Sequence, residues 1–465
     1  MPLLKHRKFL IIQLALIITC VIFSVNAAAT SATTAIARAN LPQGDVVDFG
    51  PAPTVTNKSL SEKVQAALTT VFNDFGNTSW DSAQSKAINT IGQSGDARLA
   101  WILTDAMRFV AHRDMNRSLT DAANELLGTN LRGVEAWHEL TQRLMAWDIP
   151  APPNYLDFKS KIFVTVLPQW EPLFKPGDID WRHVSWGGVR MDDRPFDKTD
   201  EHCNCIPAAD NPKTTSAEEA KWLTDDAIVF GVSVNGEYRA YPRRIMEVRE
   251  MVNDTLGGRH LGIPYCTLCG SAQAWFTDEL PAGIERPVLR TSGLLIRSNK
   301  VMFDLNTYSV FDTFRGQAVT GPLARHGIQL KQAAVVTTTW GAWKEAHPKT
   351  TVLIEELALG QDFDFRNTRD ANGPIFPIGY ADPRLAVQED VLGIVTESGT
   401  PLAFHVPSLI TALDAGETVT LEGIKVVLDA RGVRATNAKG EALGTHQAFW
   451  FAWSQFYPNT RLWPE

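Results

Sequence analysis

Positive charge is in short supply. Lys and Arg total 44 against 52 Asp and Glu, a net charge of −8. No basic stripe offsets that balance, which argues against nucleic acid as a partner. Signature loops are missing too: there is no glycine-rich phosphate loop, no nucleophile elbow and no dinucleotide fingerprint. The ten histidines are dispersed. His183, His260, His347, His405 and His446 stand singly, and none has the His-Glu-x-x-His spacing of a helical metal site. Beyond the N-terminal leader no apolar run is long enough to cross a bilayer. Scarcest of all is sulfur, with five cysteines in 465 residues.

What is present begins with an export signal. Lys5, Arg7 and Lys8 precede an apolar run over residues 9–25, and Ala27, Ala28 and Ala29 offer small residues for cleavage. Residues 1–29 therefore read as a signal peptide, and 30–57, rich in Ala, Thr, Pro and Gly, as a linker. The expected location is periplasmic or extracellular, where disulfides persist. Membrane contact would come only through a leader left uncut.

Residues 58–150 carry helical periodicity. Ser59-Leu60-Ser61-Glu62 is a capping box ahead of Val64, Ala67, Leu68 and Val71. Further helices are expected over 96–110, from the cap signature Ser118-Leu119-Thr120-Asp121 to Gly128, and over 134–146. They suit HEAT-like helical pairs, which would seat a protein partner, or a small bundle packed on the C-terminal domain. Pro150 to Pro153 ends the helical region.

From Asp178 the texture turns to short β-rich runs between glycine turns. Residues 228–234 and 238–241, joined by Asn235-Gly236, read as a hairpin. Strands are also expected over 288–291, 301–303, 335–339, 351–354 and 424–428, with helices over 216–223 and 339–346. The fold class is α+β: a helical N-terminal region, then a larger β-rich, mainly antiparallel domain over 178–465. Trp450, Trp453 and Phe456 recur at helical spacing and read as a packed face.

Several ordered blocks punctuate this domain. They are Ile206-Pro207-Ala208-Ala209-Asp210-Asn211-Pro212, Arg239-Ala240-Tyr241-Pro242-Arg243, Val252-Asn253-Asp254 and Tyr265-Cys266-Thr267-Leu268-Cys269-Gly270-Ser271-Ala272. Thr291-Ser292-Gly293-Leu294-Leu295, Ser298-Asn299, Met302-Phe303-Asp304 and Phe449-Trp450-Phe451-Ala452-Trp453 complete the series. Together they resemble the uncharacterised bacterial family catalogued as domain of unknown function 3179, over about residues 180–465. The helical region, through Trp186-Gly187-Gly188-Val189, is similar to an N-terminal extension of some members. The resemblance implies no established activity. Where that family commonly reads Trp-His-Glu ahead of Val-Asn-Asp, this chain has Val248, Arg249 and Glu250. An arginine neither ligates a metal nor accepts a proton at neutral pH.

Four cysteines remain once the leader is set aside, in two pairs: Cys203-Asn204-Cys205 and Cys266-Thr267-Leu268-Cys269. Three readings stay open. The pairs are structural disulfides, with cross-pairing preferred because a ring within Cys203-Asn204-Cys205 is strained. Alternatively, Cys203, Cys205, Cys266 and Cys269 hold Zn or Cu(I), helped by His202, with His260 and His446 as further ligands. In the third, Cys266 and Cys269 cycle between dithiol and disulfide, although the βαβ context of a thioredoxin-like protein is missing. Arg243, Asp254, Ser298, Asn299 and Asp304 are candidates to line a pocket near Cys266. Turn chemistry is the plainer use of Asn211 and Asn253, and Arg243 is as well suited to a structural ion pair. The leading functional reading is a thiolate metal or redox site; the rival is a non-catalytic structural or interaction module.

Overall fold

Asn235 and Gly236 both adopt positive φ, 49° and 82°, the backbone that a two-residue hairpin turn requires. They join Ile228–Val234 to Glu237–Pro242 in antiparallel register, as the pattern predicts. The computed structural model describes residues 41–464 except 74, 77–79, 199–202 and 355–369. The expected leader, the start of the linker and His202 lie outside the described residues.

The N-terminal helices are Glu62–Phe72, Ser82–Gly92, Ala100–Met107, Arg113–Leu127, Ala136–Ala146 and Tyr155–Val166. The first is capped by Ser61, whose Oγ accepts from the Val64 N–H, so the cap is Ser61 rather than Ser59. Arg113–Leu127 starts ahead of the expected Ser118 signature because His112 supplies the cap, its Nδ1 accepting from the Met115 N–H. Inside that helix the Thr120 hydroxyl donates back to the Asn116 carbonyl at 2.8 Å. Gly128, at φ 66°, closes it in the left-handed conformation. The helical region also runs past the prolines, which form the turn before Tyr155–Val166. There Lys159 Nζ and Tyr155 Oη both donate to Asp105, at 2.6 and 2.7 Å, and tie this helix to Ala100–Met107.

These helices do not stand apart from the β domain. Leu103, Leu119, Phe163 and Trp170 share one apolar core with Leu294, Phe303 and Val310 of a five-stranded sheet. That sheet is ordered Val184–Trp186, Leu289–Ile296, Asn299–Asp304, Val310–Asp312, Gln317–Ala318. Trp170 Nε1 pins the contact by donating to the Ser292 carbonyl at 2.7 Å.

A second sheet is built on Met251–Leu256 and Arg259–Cys266, a third on the 228–242 hairpin with Val335–Thr339. The C-terminal part adds a four-stranded sheet containing Asp390–Val395 and His446–Phe449, and a three-stranded meander. Among the described residues, pairing between named strands is antiparallel except at three short contacts. The chain is thus a helical region followed by a larger, mainly antiparallel β-rich domain. One expected helix fails: Thr214–Ser216 is an edge strand paired with Thr351–Leu353, and turns come after it. Its β-branched threonines meet the Thr351–Leu353 edge there; Ser216 Oγ still accepts from the Glu219 N–H at 3.3 Å, as a cap does, but only turns follow. Helix Trp450–Phe456 buries Trp450, Trp453 and Phe456.

Candidate functional site: a sulfur-lined cavity

Strand Arg259–Cys266 ends at its own cysteine, and Ser271–Ala272 returns antiparallel, with Cys266 opposite Ser271. The intervening turn needs Gly270. Its φ is +60°, and a Cβ there would stand 2.8 Å from the Phe449 ring. The Phe449 N–H donates to the Cys269 carbonyl at 2.9 Å, so the C-terminal sheet clamps the turn.

Each cysteine motif closes on itself. Cys203 is bridged to Cys205 and Cys266 to Cys269, with Cα separations of 5.2 and 5.5 Å, inside the range of about 4.4–6.8 Å that a bridge spans. The expected cross-pairing does not occur, because the turn at each motif already brings its two sulfurs together. The backbone bridge between Arg190 and Cys205 holds the first motif on a separate segment. The four sulfurs do not converge on one point. Among the described residues, the group of three donors within 4.8 Å of one another is Asp192, Cys203 and Cys205.

Cys266, Thr267 and Leu268 form one wall of a cavity of about 250 Å³. Ile206, Thr291 to Leu295, Phe376, Glu250 and Lys300 are among the residues that line the other walls. Three of the family-like blocks, those of Ile206, Cys266 and Thr291, therefore meet around this space. Strand Leu289–Ile296 is bulged between Thr291 and Leu295. Gly293, at φ +76°, allows the bulge to approach Val189, whose carbonyl a Cβ would meet at 2.4 Å. The Thr291 hydroxyl donates to the Ile206 carbonyl at 2.9 Å and closes the wall.

The charged part of the cavity is a buried pair. Lys300 Nζ lies 2.6 Å from Glu250 Oε2 and donates to the Glu250 backbone carbonyl at 3.0 Å. Burial pushes the Lys300 ammonium down from its usual range, and Glu250 opposes that shift. The Thr267 hydroxyl donates to Glu250 Oε1 at 3.2 Å. This links the pair to the cysteine turn. Glu250 sits at φ 48°, left-handed backbone that costs a non-glycine residue energy. Arg249 stands where the family resemblance places a histidine. It is buried and donates to the Pro207 and Ala208 carbonyls at 3.4 Å, buttressing the segment that carries Ile206.

Cys269 does not line the cavity. Its Sγ lies 3.3 Å from Ser271 Oγ, and Gln273 Nε2 donates to that same oxygen at 3.3 Å. With the oxygen accepting from Gln273, the hydroxyl proton is directed to sulfur.

The remaining sequence candidates are engaged elsewhere. Asp254 accepts from Arg239 and Tyr241 Oη at 2.7 Å within the hairpin region. Arg243 opens helix Arg243–Arg249 and faces Glu247 at 3.7 Å. Ser298 forms the turn after Leu289–Ile296 with Arg297, and Asn299 opens the next strand, its Nδ2 donating to the Arg297 carbonyl at 2.9 Å. Asp304 accepts from the Val288 and Thr307 N–H groups at 2.8 and 2.9 Å. These five residues are absent from the wall around Cys266. Asn253 is not a turn former: it lies in a strand and donates to Asp210 Oδ1 at 2.8 Å. There it joins a buried network in which Arg290 Nη2 meets Asp210 at 2.5 Å. Asn211, at φ 44°, does form a turn. His260 Nδ1 contacts the Thr255 hydroxyl at 3.0 Å, and His446 Nδ1 faces Gln332 Nε2 at 2.8 Å.

Lys300 and Glu250 escape sequence reasoning. The available signal is a lysine inside the strand Asn299–Asp304, every residue of which is buried. A buried ammonium of that kind demands a carboxylate partner.

A family model described as Protein of unknown function (DUF3179) matches residues 203–442, which include both cysteine pairs, Glu250 and Lys300. No curated protein and no solved structure matches the chain.

Proposed function

The chain belongs to the DUF3179 family of proteins of unknown function, and we propose that this member is an exported protein whose Cys266–Cys269 pair is a reversible dithiol–disulfide centre. One observation carries the reading. The bridge closes a very short ring, yet one of its cysteines, Cys266, lines a cavity beside the buried Glu250–Lys300 pair. A staple gains less from a ring this small: chain entropy gives about 2 kcal/mol, against about 3 for a 15-residue loop. The cavity assigns the roles, since Cys266 lines it and Cys269 does not. A thiolate of an incoming dithiol attacks Cys266 Sγ, the Cys266–Cys269 bond breaks, and Cys269 leaves as thiolate toward the Ser271 hydroxyl. The second thiol of the reductant then displaces Cys266 from the mixed disulfide. Two electrons pass to the protein pair, the two thiol protons end on Cys266 and Cys269, and the reductant leaves as its own disulfide.

Folded protein carrying Cys203→Ser and Cys205→Ser is equilibrated with mixtures of reduced and oxidised dithiothreitol, then alkylated and weighed. A two-electron midpoint above about −300 mV, with unchanged near-ultraviolet circular dichroism, is expected. A bridge that resists reduction until the protein unfolds would instead make Cys266–Cys269 structural.

A second reading rests on Asp192, Cys203 and Cys205, which bring three donors within 4.8 Å. A reduced Cys203 and Cys205 would then hold Zn(II) or Cu(I). It ranks lower because Asp192 already accepts from Arg194 Nε at 2.7 Å and the Ala208 N–H at 2.8 Å. Metal analysis of the reduced wild-type chain against the Cys203→Ser variant decides it.

A further inference from the structure

A larger cavity, of about 770 Å³, lies between the segment after the helices, the hairpin turn after Leu289–Ile296, and helix Trp450–Phe456. It falls within the ~300–1,000 Å³ range of small-molecule sites. Much of its wall is apolar, with Ile296, Val301, Phe311 and Phe456 prominent. We propose that this cavity binds an organic carboxylate with an apolar body, the carboxylate being held by Arg297.

Arg297 is the feature that calls for a ligand. The residue lines the cavity with His183, and its guanidinium meets His183 Nε2 at 3.2 Å. No carboxylate of the described residues lies within 4.0 Å of it. His183 does not share the charge. Burial first, then the neighbouring Arg297, push its pKa down to about 4. The ring is neutral at pH 7, and its Nε2 accepts from the guanidinium. Burial also pushes Arg297 itself below the usual arginine range, by more than Asp180 and Asp148 draw it back.

The acids on the same wall are committed. Asp180 meets Arg182 at 2.5 Å and Asp382 meets Arg384 at 2.7 Å. Asp312 accepts the Phe314 and Arg315 N–H groups at 2.9 and 3.0 Å and faces Arg315 at 3.7 Å. Asp178, at the exposed rim, accepts from Gln317 at 3.3 Å. The backbone adds a second, independent observation. Arg297 and Ser298 stand at φ 45° and 65°, a two-residue turn that Asn-Gly fills without strain. Placing Arg-Ser there costs energy, and it sets Arg297 in the cavity wall. A planar guanidinium suits a carboxylate bidentately, and the apolar wall suits a hydrocarbon or aryl body.

Calorimetry on the full chain tests this with octanoate, decanoate and 3-phenylpropanoate, each against its primary amide. At least one carboxylate is expected to bind at a single site, about tenfold or more tighter than its amide. Arg297→Gln is expected to lose that preference while binding the amide as before. Binding should also shift the His183 ring resonances. Lack of saturable binding by all three acids overturns the proposal, as does equal affinity for acid and amide. So does undiminished carboxylate binding in Arg297→Gln, or an unmoved His183. Should that variant fail to fold, the acid-to-amide ratio on the wild-type chain still decides.

Discussion

Ser271 Oγ stands 3.3 Å from Cys269 Sγ, with its lone pair engaged by Gln273. A buried hydroxyl fixed in this way stabilises the thiolate more than the bridged sulfur, because hydrogen bonds to charged groups are the stronger ones. The two sulfurs of the motif are therefore unequal. Cys266 faces the cavity, and Cys269 faces a proton donor in the dry interior.

Ser271→Ala removes that donor. At about 1.5 kcal/mol for a hydrogen bond to a charged group, reduction of Cys266–Cys269 by dithiothreitol should slow about tenfold, because Cys269 leaves as a thiolate. The midpoint, set between the bridge and the protonated dithiol, should move less. Ser271→Cys is avoided because it adds a competing thiol. A reduction rate unchanged in Ser271→Ala would mean that the hydroxyl does not solvate the leaving sulfur.

The Glu250–Lys300 pair sits at 2.6 Å with both groups buried. Removing one partner strands the other, which costs about 3–5 kcal/mol in comparable pairs. Lys300→Met and Glu250→Gln should each lower urea stability by that order. The double variant should recover a good part of the loss, since it leaves no buried charge alone. Equilibrium urea unfolding of all three gives the coupling energy directly.

Much of this arrangement was legible in residue patterns. Asn235-Gly236 declares its hairpin, and the helix expected over 339–346 forms as Trp340–Ala346, with Thr339 as its cap. The cysteine motifs mark the turn beside the cavity. What local patterns do not carry is how distant segments meet. Ser118-Leu119-Thr120-Asp121 has the look of a helix start, yet His112 outcompetes it from upstream. Asn299 and Asp304 are polar enough for a pocket, but short side chains beside a turn satisfy their own backbone first. Lys300 joins Cys266 only because the bulged strand Leu289–Ile296 and the cysteine turn face one space. That juxtaposition is tertiary and spans residues far apart in the chain.

The Cys203–Cys205 bridge closes an even shorter ring. By chain entropy it contributes no more than about 2 kcal/mol. Cys203→Ser with Cys205→Ser should therefore fold, lose at most that amount in urea, and leave the Cys266–Cys269 midpoint in place. A large shift of the midpoint would couple the two bridges through the wall at Ile206, which both segments share with the cavity.

Acid sensitivity should trace in part to His446. Its ring is buried between Phe314 and Trp453, at centroid distances of 5.3 and 5.8 Å. Burial pushes its pKa down to about 3. In the unfolded chain the same histidine titrates near its ordinary value of about 6.5. Between those two values the unfolded state binds a proton that the native state refuses. Stability is thus full above pH ~6.5 and falls as the pH drops toward ~3, by up to about 1.4 kcal/mol per pH unit. His446→Gln keeps a polar group that can face Gln332 but cannot titrate. Its urea stability, followed from pH 7 to pH 4, should show a slope shallower by about one proton. An unchanged slope would mean that His446 takes up its proton in the folded protein, through an opening of the Phe314–Trp453 enclosure.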